Sequence, residues 1–163
     1  MSGANRTPTR PEARRGGFSL VELLMAVSIV GILSAIAIPN MRNMTFRARA
    51  TNVAADLEIL RLATLDYNAD ALRWPADAAA GVIPPELVDY LPEGFSFDGN
   101  GYELDFEVLS FSGGLPGDPT TTQLIAAIVT SADDRLHNAI AELLGGNVVA
   151  SAGNTHTVVI ERS

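Results

Sequence analysis

The sequence contains no cysteine, no lysine and only two histidines. Without cysteine there is no disulfide framework, no thiolate metal site and no cysteine nucleophile. The eleven basic residues, all arginine, stand against nineteen acids, and the net charge of −8 disfavours nucleic acid as the main partner. At 163 residues and 47% hydrophobic content, the chain can form one domain with a real core and is not a disordered chain.

The charge is distributed very unevenly along the chain. Residues 1–17 hold four arginines and one acid, a net charge of +3, and residues 18–49 carry +2. Residues 50–163 hold four arginines against seventeen acids, which gives −13. A short basic leader therefore precedes a strongly acidic C-terminal part.

A long apolar run lies between these two parts. Residues 18–38, FSLVELLMAVSIVGILSAIAI, include sixteen apolar residues and one charged residue, Glu22. As a helix this run would cover roughly 30 Å, the thickness of a bilayer's hydrocarbon core. Because the arginine-rich leader precedes it, the positive-inside rule predicts a cytoplasmic N-terminus and an acidic part outside.

Export signals are the alternatives to a membrane span. Residues 23–33 are an acceptable apolar core for a cleaved secretory signal, and Ala35-Ile36-Ala37 matches its cleavage pattern. The pair Arg14-Arg15 also allows twin-arginine export. Glu22 argues against both, because a carboxylate inside the apolar stretch is costly and calls for a partner, unless it simply reaches headgroups or water.

Residues 14–22 read RRGGFSLVE and are followed by the apolar run and Pro39. This segment resembles the class III signal of type IV pilins and type II secretion pseudopilins. In that family a membrane-embedded prepilin peptidase cuts after the glycine and methylates the new N-terminus. The resemblance therefore implies cleavage between Gly17 and Phe18 and an N-methylated Phe18. It also implies an inner-membrane assembly platform and copies of the chain or related pilins as partners, with lipid surrounding the helix before assembly.

Glu22 has a further role if the chain assembles. Its carboxylate would pair with the positively charged N-terminus of a neighbouring subunit inside an apolar filament core. Removing one partner of a buried pair costs about 3–5 kcal/mol, so the pair would fix the axial register. Pro39 removes a backbone donor, so it either kinks the helix or ends the span, and the resemblance favours continuation of the helix.

The helical pattern resumes after Pro39. Apolar or small residues recur with a period near 3.5 at Phe46, Ala50, Val53, Leu57, Leu60, Thr64, Tyr67 and Ala71. The predicted helix runs from Phe18 to about Leu72, and its second half lays one face on a head domain. Short strands over 102–108, 124–130, 147–151 and 156–161 and a helix ending at Gly145-Gly146 complete the head, with Thr130 or Ser131 as the expected helix cap. The predicted fold is α+β, pilin-like, with the long helix across a mainly antiparallel sheet.

The head offers weak candidates for chemistry. Asp98, Asn100 and a further carboxylate could form a calcium site, but the spacing lacks the remaining ligands, and a solvated acidic edge is the simpler interpretation. His137 and His156 lack neighbours at metal or triad spacing and are expected to be surface or edge residues. We therefore expect no enzyme, no cofactor and no metal.

Two functions remain after these exclusions. In the first, the chain is a structural filament subunit with a leader over 1–17, a filament-core helix over 18–38, its amphipathic continuation over 39–72 and an acidic head over 73–163. In the second, the apolar segment only anchors or exports a monomeric binding domain. Gly17 and Glu22 distinguish the two, because an anchor needs neither.

Overall fold

The computed structural model describes residues 17–114, 118 and 120–162. The basic leader predicted over residues 1–17 lies outside these residues except for Gly17. Within these residues, two α-helices, four strands and two short 3-10 helices follow each other. They are α1 (Leu20–Ala71), a 3-10 helix (Pro85–Tyr90), β1 (Tyr102–Ser110), β2 (Gln123–Ser131), α2 (Asp134–Leu144), a 3-10 turn (Gly145–Asn147), β3 (Val148–Ala152) and β4 (Thr155–Arg162).

The chain divides into two compact units, the first ending at Asn40 and the second beginning at Met41. In the described part of the first unit the chain forms the start of α1, and its side chains are exposed apart from the half-buried Ser34. The helix continues through Pro39 without interruption. The predicted kink at Pro39 stays a prediction.

The second unit holds the amphipathic part of α1. Its buried residues follow the predicted stripe and are Ala50, Val53, Leu57, Leu60, Ala63, Thr64 and Tyr67. Phe46 is half-buried and Ala71 is exposed, so the stripe is shorter at both ends than the sequence pattern indicates. The buried hydroxyl of Thr64 donates to the carbonyl oxygen of Leu60 at 2.8 Å, which lets a polar residue occupy the apolar face.

The sheet of the second unit is antiparallel and has the order β1-β2-β4-β3. β2 is central and nearly continuously apolar, as expected for a strand covered on both faces. Its residues pack with the α1 stripe around fully buried aromatic and aliphatic side chains, including Phe97, Leu104, Phe106, Ile125 and Val129. The expected α+β fold, with a long helix on a small antiparallel sheet and one short additional helix, is confirmed.

The connection from α1 to β1 is mostly irregular. Leu72, the residue after α1, has a φ of 54°, and Trp74 packs against the core. Within this connection, Pro85–Tyr90 forms a 3-10 helix with proline at its first position. The segment before β1 pairs with the start of β1 across the glycine-rich turn, since Asp98 bridges Glu103 and the Leu104 N–H donates to the Phe97 carbonyl at 2.8 Å. β2 pairs with the other edge of β1 over its full length.

Details of α2 correct the sequence prediction. The helix cap is Asp133, whose Oδ1 accepts a hydrogen bond from the Arg135 N–H at 2.8 Å, rather than Thr130 or Ser131. β2 extends through Ser131, so those two residues belong to the sheet. Leu136 and Ile140 of α2 are buried, whereas Leu143, in the last turn, is 50% exposed.

Candidate processing and assembly site

Ser19 starts the long helix. Its Oγ accepts hydrogen bonds from the backbone N–H of Val21 at 3.2 Å and of Glu22 at 3.5 Å. A serine at the cap followed three residues later by glutamate is the capping-box pattern, and the carboxylate also favours the positive end of the helix dipole. The spacing of Ser19 and Glu22 could have identified this cap from the sequence, which drew attention only to Glu22.

Gly17 and Phe18 lie immediately before this cap, outside the helix, and both are exposed. A Cβ atom added to Gly17 would meet no heavy atom within 4 Å. Nothing in the described chain therefore requires glycine at position 17. A requirement for glycine there would come from a molecule that handles the chain.

Glu22 is the only charged residue between Phe18 and Met41. Among the residues that the structure describes, no cation lies within ion-pair distance of its carboxylate. The side chain lies on a helix whose other surface residues here are apolar or small. Glu22 is thus available to a partner from another molecule, in addition to its local role at the helix start.

The start of α1 presents apolar side chains on all sides. Exposed large hydrophobic residues run from Phe18, 83% exposed, to Ile38, 52% exposed. Within the described residues this helix is the one long and apolar enough to cross a membrane, and none of its most apolar window is buried. A helix that is hydrophobic all round needs lipid or other apolar helices around it.

The acidic candidates of the head do not converge on a metal site. In the part of the chain that the structure describes, no three His, Cys, Asp or Glu residues form a group able to hold a metal ion. Asp98 is exposed, and its backbone N–H donates to Ser96 Oγ at 3.1 Å.

Asp105 is only partly exposed, and its Oδ1 is buried without a hydrogen-bond partner. Burial and the neighbouring Glu107, Asp77 and Glu103 raise the pKa of Asp105.

The two histidines are not both surface residues, which corrects the sequence expectation. His156 is 2% exposed and stacks on His137, with ring centroids 4.0 Å apart and planes 13° apart. His156 Nε2 lies 3.2 Å from the carbonyl oxygen of His137, and Nδ1 lies 3.2 Å from Ser151 Oγ. A carbonyl only accepts, so Nε2 carries the proton and donates to it. In the neutral ring Nδ1 is then the acceptor for the hydroxyl of Ser151. Their 19-residue separation in the sequence gave no signal for this contact.

Polar contacts tie the amphipathic part of α1 to the rest of the second unit. The hydroxyl of Tyr102 donates to Asp56, and Gly99 lies so close to the Tyr102 ring that a Cβ there would collide with it. Burial, followed by this hydrogen bond and the charge of Asp56, raises the pKa of Tyr102. Arg47 pairs with Glu142 of α2 at 3.1 Å, but both side chains are exposed and the pair contributes little to stability.

Comparisons with known proteins find similarity in the N-terminal region that contains Gly17, Glu22 and the apolar helix. The family model for the prokaryotic N-terminal methylation motif matches residues 13–38. The chain is 36% identical over 69 residues to a type IV major pilin protein, PilE1, of Neisseria gonorrhoeae, an alignment that covers 42% of this chain and 32% of the relative. It is 37% identical over 67 residues to the fimbrial protein EcpC of Eikenella corrodens, covering 40% and 44% respectively. With a fimbrial protein of Pseudomonas aeruginosa it shares 43% identity over 47 residues, 29% of this chain and 30% of the relative.

Each alignment spans less than half of the relative's length. No solved structure matches the chain. The methylation motif and the apolar helix are the features that this chain shares with the type IV major pilin and fimbrial proteins it matches. Over this N-terminal region the chain is similar to type IV major pilins.

Proposed function

We propose that this pilin-type chain is a subunit of a type IV pilus filament, processed between Gly17 and Phe18 and assembled through residues 18–38. One observation carries the proposal. The start of α1 exposes an apolar surface on all sides and bears one carboxylate, Glu22, near its first turn. The names of the similar proteins, type IV major pilins and fimbrial proteins, favour a pilus over a type II secretion filament.

Processing is supported by the location of the scissile bond. Gly17 and Phe18 precede the capped helix and are exposed, so a peptidase can reach the bond without unwinding the helix. In the proposal a prepilin peptidase cuts on the cytoplasmic face and methylates the amine of Phe18. The cut removes the net +3 of the leader, which would otherwise hold the helix end at the membrane surface.

Assembly then moves the apolar helix from lipid into the filament core. The subunit first spans the inner membrane with its acidic head outside, and the assembly platform passes it into the filament. In that core the carboxylate of Glu22 pairs with the N-terminal amine of a neighbouring subunit. Because both charges leave water only if they are paired, the register in which they meet is favoured over others.

Processing is tested by the intact mass of the protein isolated from its own cells. We expect a chain that begins at Phe18 and carries one additional methyl group. A chain beginning at Met1 or Ile38 would contradict the proposal, and the second of these would establish a secretory signal instead. Electron microscopy of sheared filaments from wild-type and deletion strains then tests whether the processed chain assembles into pili.

The role of Glu22 is tested with two variants that separate its charge from its capping function. Glu22→Gln keeps a capping-box residue but has no charge, and Glu22→Ala removes both. We expect both variants to insert and be processed but to yield few filaments, since an unpaired buried amine costs about 3–5 kcal/mol. Glu58→Ala, which removes an exposed carboxylate from the same helix, is the control. Normal filament yield from Glu22→Gln would exclude the charge pair.

A further inference from the structure

The turn before β1 contains Asn100-Gly101, the one place in the sequence where an asparagine is followed by glycine. Both residues are exposed, and Gly101 has a φ of 90°, which residues with a side chain rarely adopt. A cyclic imide forms from the carboxamide of an asparagine and the backbone nitrogen of the next residue. Because Gly101 has no Cβ, its nitrogen is open to the approach of the Asn100 carboxamide.

An open cavity of about 540 Å³ borders this turn, so water has access to it. The cavity is lined by Arg49, Gly101, Ala132, Asp133, Asp134 and Arg135. Nη1 of Arg49 lies 3.9 Å from the position that a Cβ atom on Gly101 would take. Within the described residues no carboxylate forms an ion pair with Arg49. An unpaired positive charge therefore lies beside the backbone of Gly101.

The hydrogen bonds of the turn leave the Asn100 side chain free to react. Among the described residues, none hydrogen-bonds to its carboxamide. The Gly101 N–H donates to the Gly99 carbonyl at 2.9 Å, and the Gly101 carbonyl accepts from Ser131 Oγ at 3.2 Å. The first bond must open before the nitrogen can attack, and at this exposed turn water can replace it. We therefore expect the folded turn to react more slowly than the unfolded chain, but to react.

We propose that Asn100-Gly101 is a site of spontaneous deamidation in the folded protein and that the charge of Arg49 promotes the reaction. The backbone nitrogen of Gly101 loses its proton and bonds to Cγ of Asn100, the Cγ–Nδ2 bond breaks, and ammonia leaves with that proton. Water then opens the succinimide ring at either of its carbonyl carbons, which gives aspartate or isoaspartate. The guanidinium of Arg49 stabilises the negative charge that develops during the attack.

The product carries a carboxylate where the chain had a neutral amide. Residues 41–163 hold seven arginines against seventeen acids, so each event makes an acidic unit more acidic. Isoaspartate also lengthens the backbone between the bridge residue Asp98 and the start of β1 at Tyr102. This slow change in charge and backbone is separate from processing and assembly, and it goes beyond the proposed pilus function.

Peptide mass spectrometry of the purified full-length chain, aged in detergent at mildly alkaline pH, tests the site. Deamidation changes the peptide mass, whereas isomerisation of Asp98 does not, so the two are distinguished. Asn154 is the matched control in the same molecule, because it is exposed in a turn but is followed by the branched residue Thr155. We expect severalfold more product at Asn100 than at Asn154. Equal rates at the two positions, or reaction at Asn100 only after unfolding in urea, would overturn the proposal.

Charge variants test the contribution of Arg49. We expect Arg49→Gln to slow deamidation severalfold and Arg49→Lys to restore most of the rate. Added salt should slow the wild type but not Arg49→Gln, because it screens the interaction with the guanidinium. Arg73→Gln is the matched control, since the Arg49 and Arg73 guanidinium groups each lie 5.8 Å from the centre of an aromatic ring, those of Phe46 and Tyr67.

Circular dichroism checks that these variants fold. A folded Arg49→Gln variant that deamidates at the wild-type rate, or a rate in Arg49→Lys as low as in Arg49→Gln, would overturn the role of the charge. None of these outcomes depends on filament formation, so failure here leaves the pilus proposal standing.

Discussion

The two parts of α1 have the same secondary structure and opposite relations to their surroundings. From Leu20 to Asn40 every side chain is exposed except the half-buried Ser34, although most are apolar. From Met41 to Ala71 one face is buried against the sheet and the other carries charges. The second part is buried by its own chain, whereas the first would be buried by lipid or, in the proposed filament, by other subunits.

This difference separates what stabilises the subunit from what stabilises an assembly. Side chains in the buried stripe contribute to the free energy of unfolding of the isolated chain. Side chains in the exposed part contribute to insertion and association instead. Mutations at matched aliphatic residues in the two parts should therefore affect different measurements.

The largest expected effect compares Leu60→Ala with Ile32→Ala. Leu60 is fully buried and Ile32 is 66% exposed. Truncating a buried leucine costs about 2–5 kcal/mol, so we expect a marked fall in the free energy of unfolding for Leu60→Ala and almost no change for Ile32→Ala. Denaturant unfolding in detergent is followed by the fluorescence of Trp74, the only tryptophan, which packs against the core of the second unit. Similar losses in both variants would show that the two parts are not independent.

A smaller effect concerns pH. We expect the stability of the second unit to depend on pH through His156 of β4. Burial lowers the pKa of His156 below its ordinary value of 6.5, and the adjacent His137 ring lowers it too, against the hydrogen bond that Nε2 donates to the His137 carbonyl oxygen, which raises it. The unfolded chain therefore binds a proton more readily than the folded chain. Stability is unaffected at pH values well above 6.5 and falls as the pH drops below that value.

The measurement is the unfolding free energy, again from Trp74 fluorescence, between about pH 7.5 and pH 5.5. One proton changes it by at most about 1.4 kcal/mol per pH unit. His156→Gln keeps a donor and an acceptor without titrating, so its pH dependence is expected to be flatter than that of the wild type. Identical slopes in the two proteins would remove His156 as the source.

The smallest expected effect compares the two helix caps. Asp133→Ala removes the side-chain acceptor that caps α2, and Ser19→Ala removes the one that caps α1. Loss of a cap costs about 1 kcal/mol, and α2 belongs to the unit that Trp74 reports on. We expect a modest lowering of the Trp74 unfolding midpoint for Asp133→Ala and none for Ser19→Ala. A shift of equal size for Ser19→Ala would link the first turn of α1 to the folding of the second unit.

Much of the fold was predictable because it rests on local patterns. The apolar period of α1 predicted Val53, Leu57 and Leu60 as buried residues, and each strand lay within two residues of its expected bounds. The segment proposed for processing was equally recognisable, since a glycine, an aromatic residue and a glutamate at fixed spacing are local features.

Contacts between distant residues were not predictable in the same way. The stacking of His156 on His137 depends on how β4 packs beside α2, and no spacing rule encodes it. The pairing of β2 with β1 over nine residues likewise joins segments that no local pattern brings together. The cap of α2 was misassigned because serine is compatible with both a helix cap and a strand end, and Ser131 is the last residue of β2.

The passage of α1 through Pro39 has a mechanical consequence. Proline has no N–H, so the carbonyl of Ala35, four residues earlier, lacks the helical donor that its neighbours have. Under tension along the helix axis, the load at this turn is carried by fewer hydrogen bonds than elsewhere. We expect α1 to lengthen first near Ala35, so that stretching begins beside the proline while the turns on either side keep their pitch.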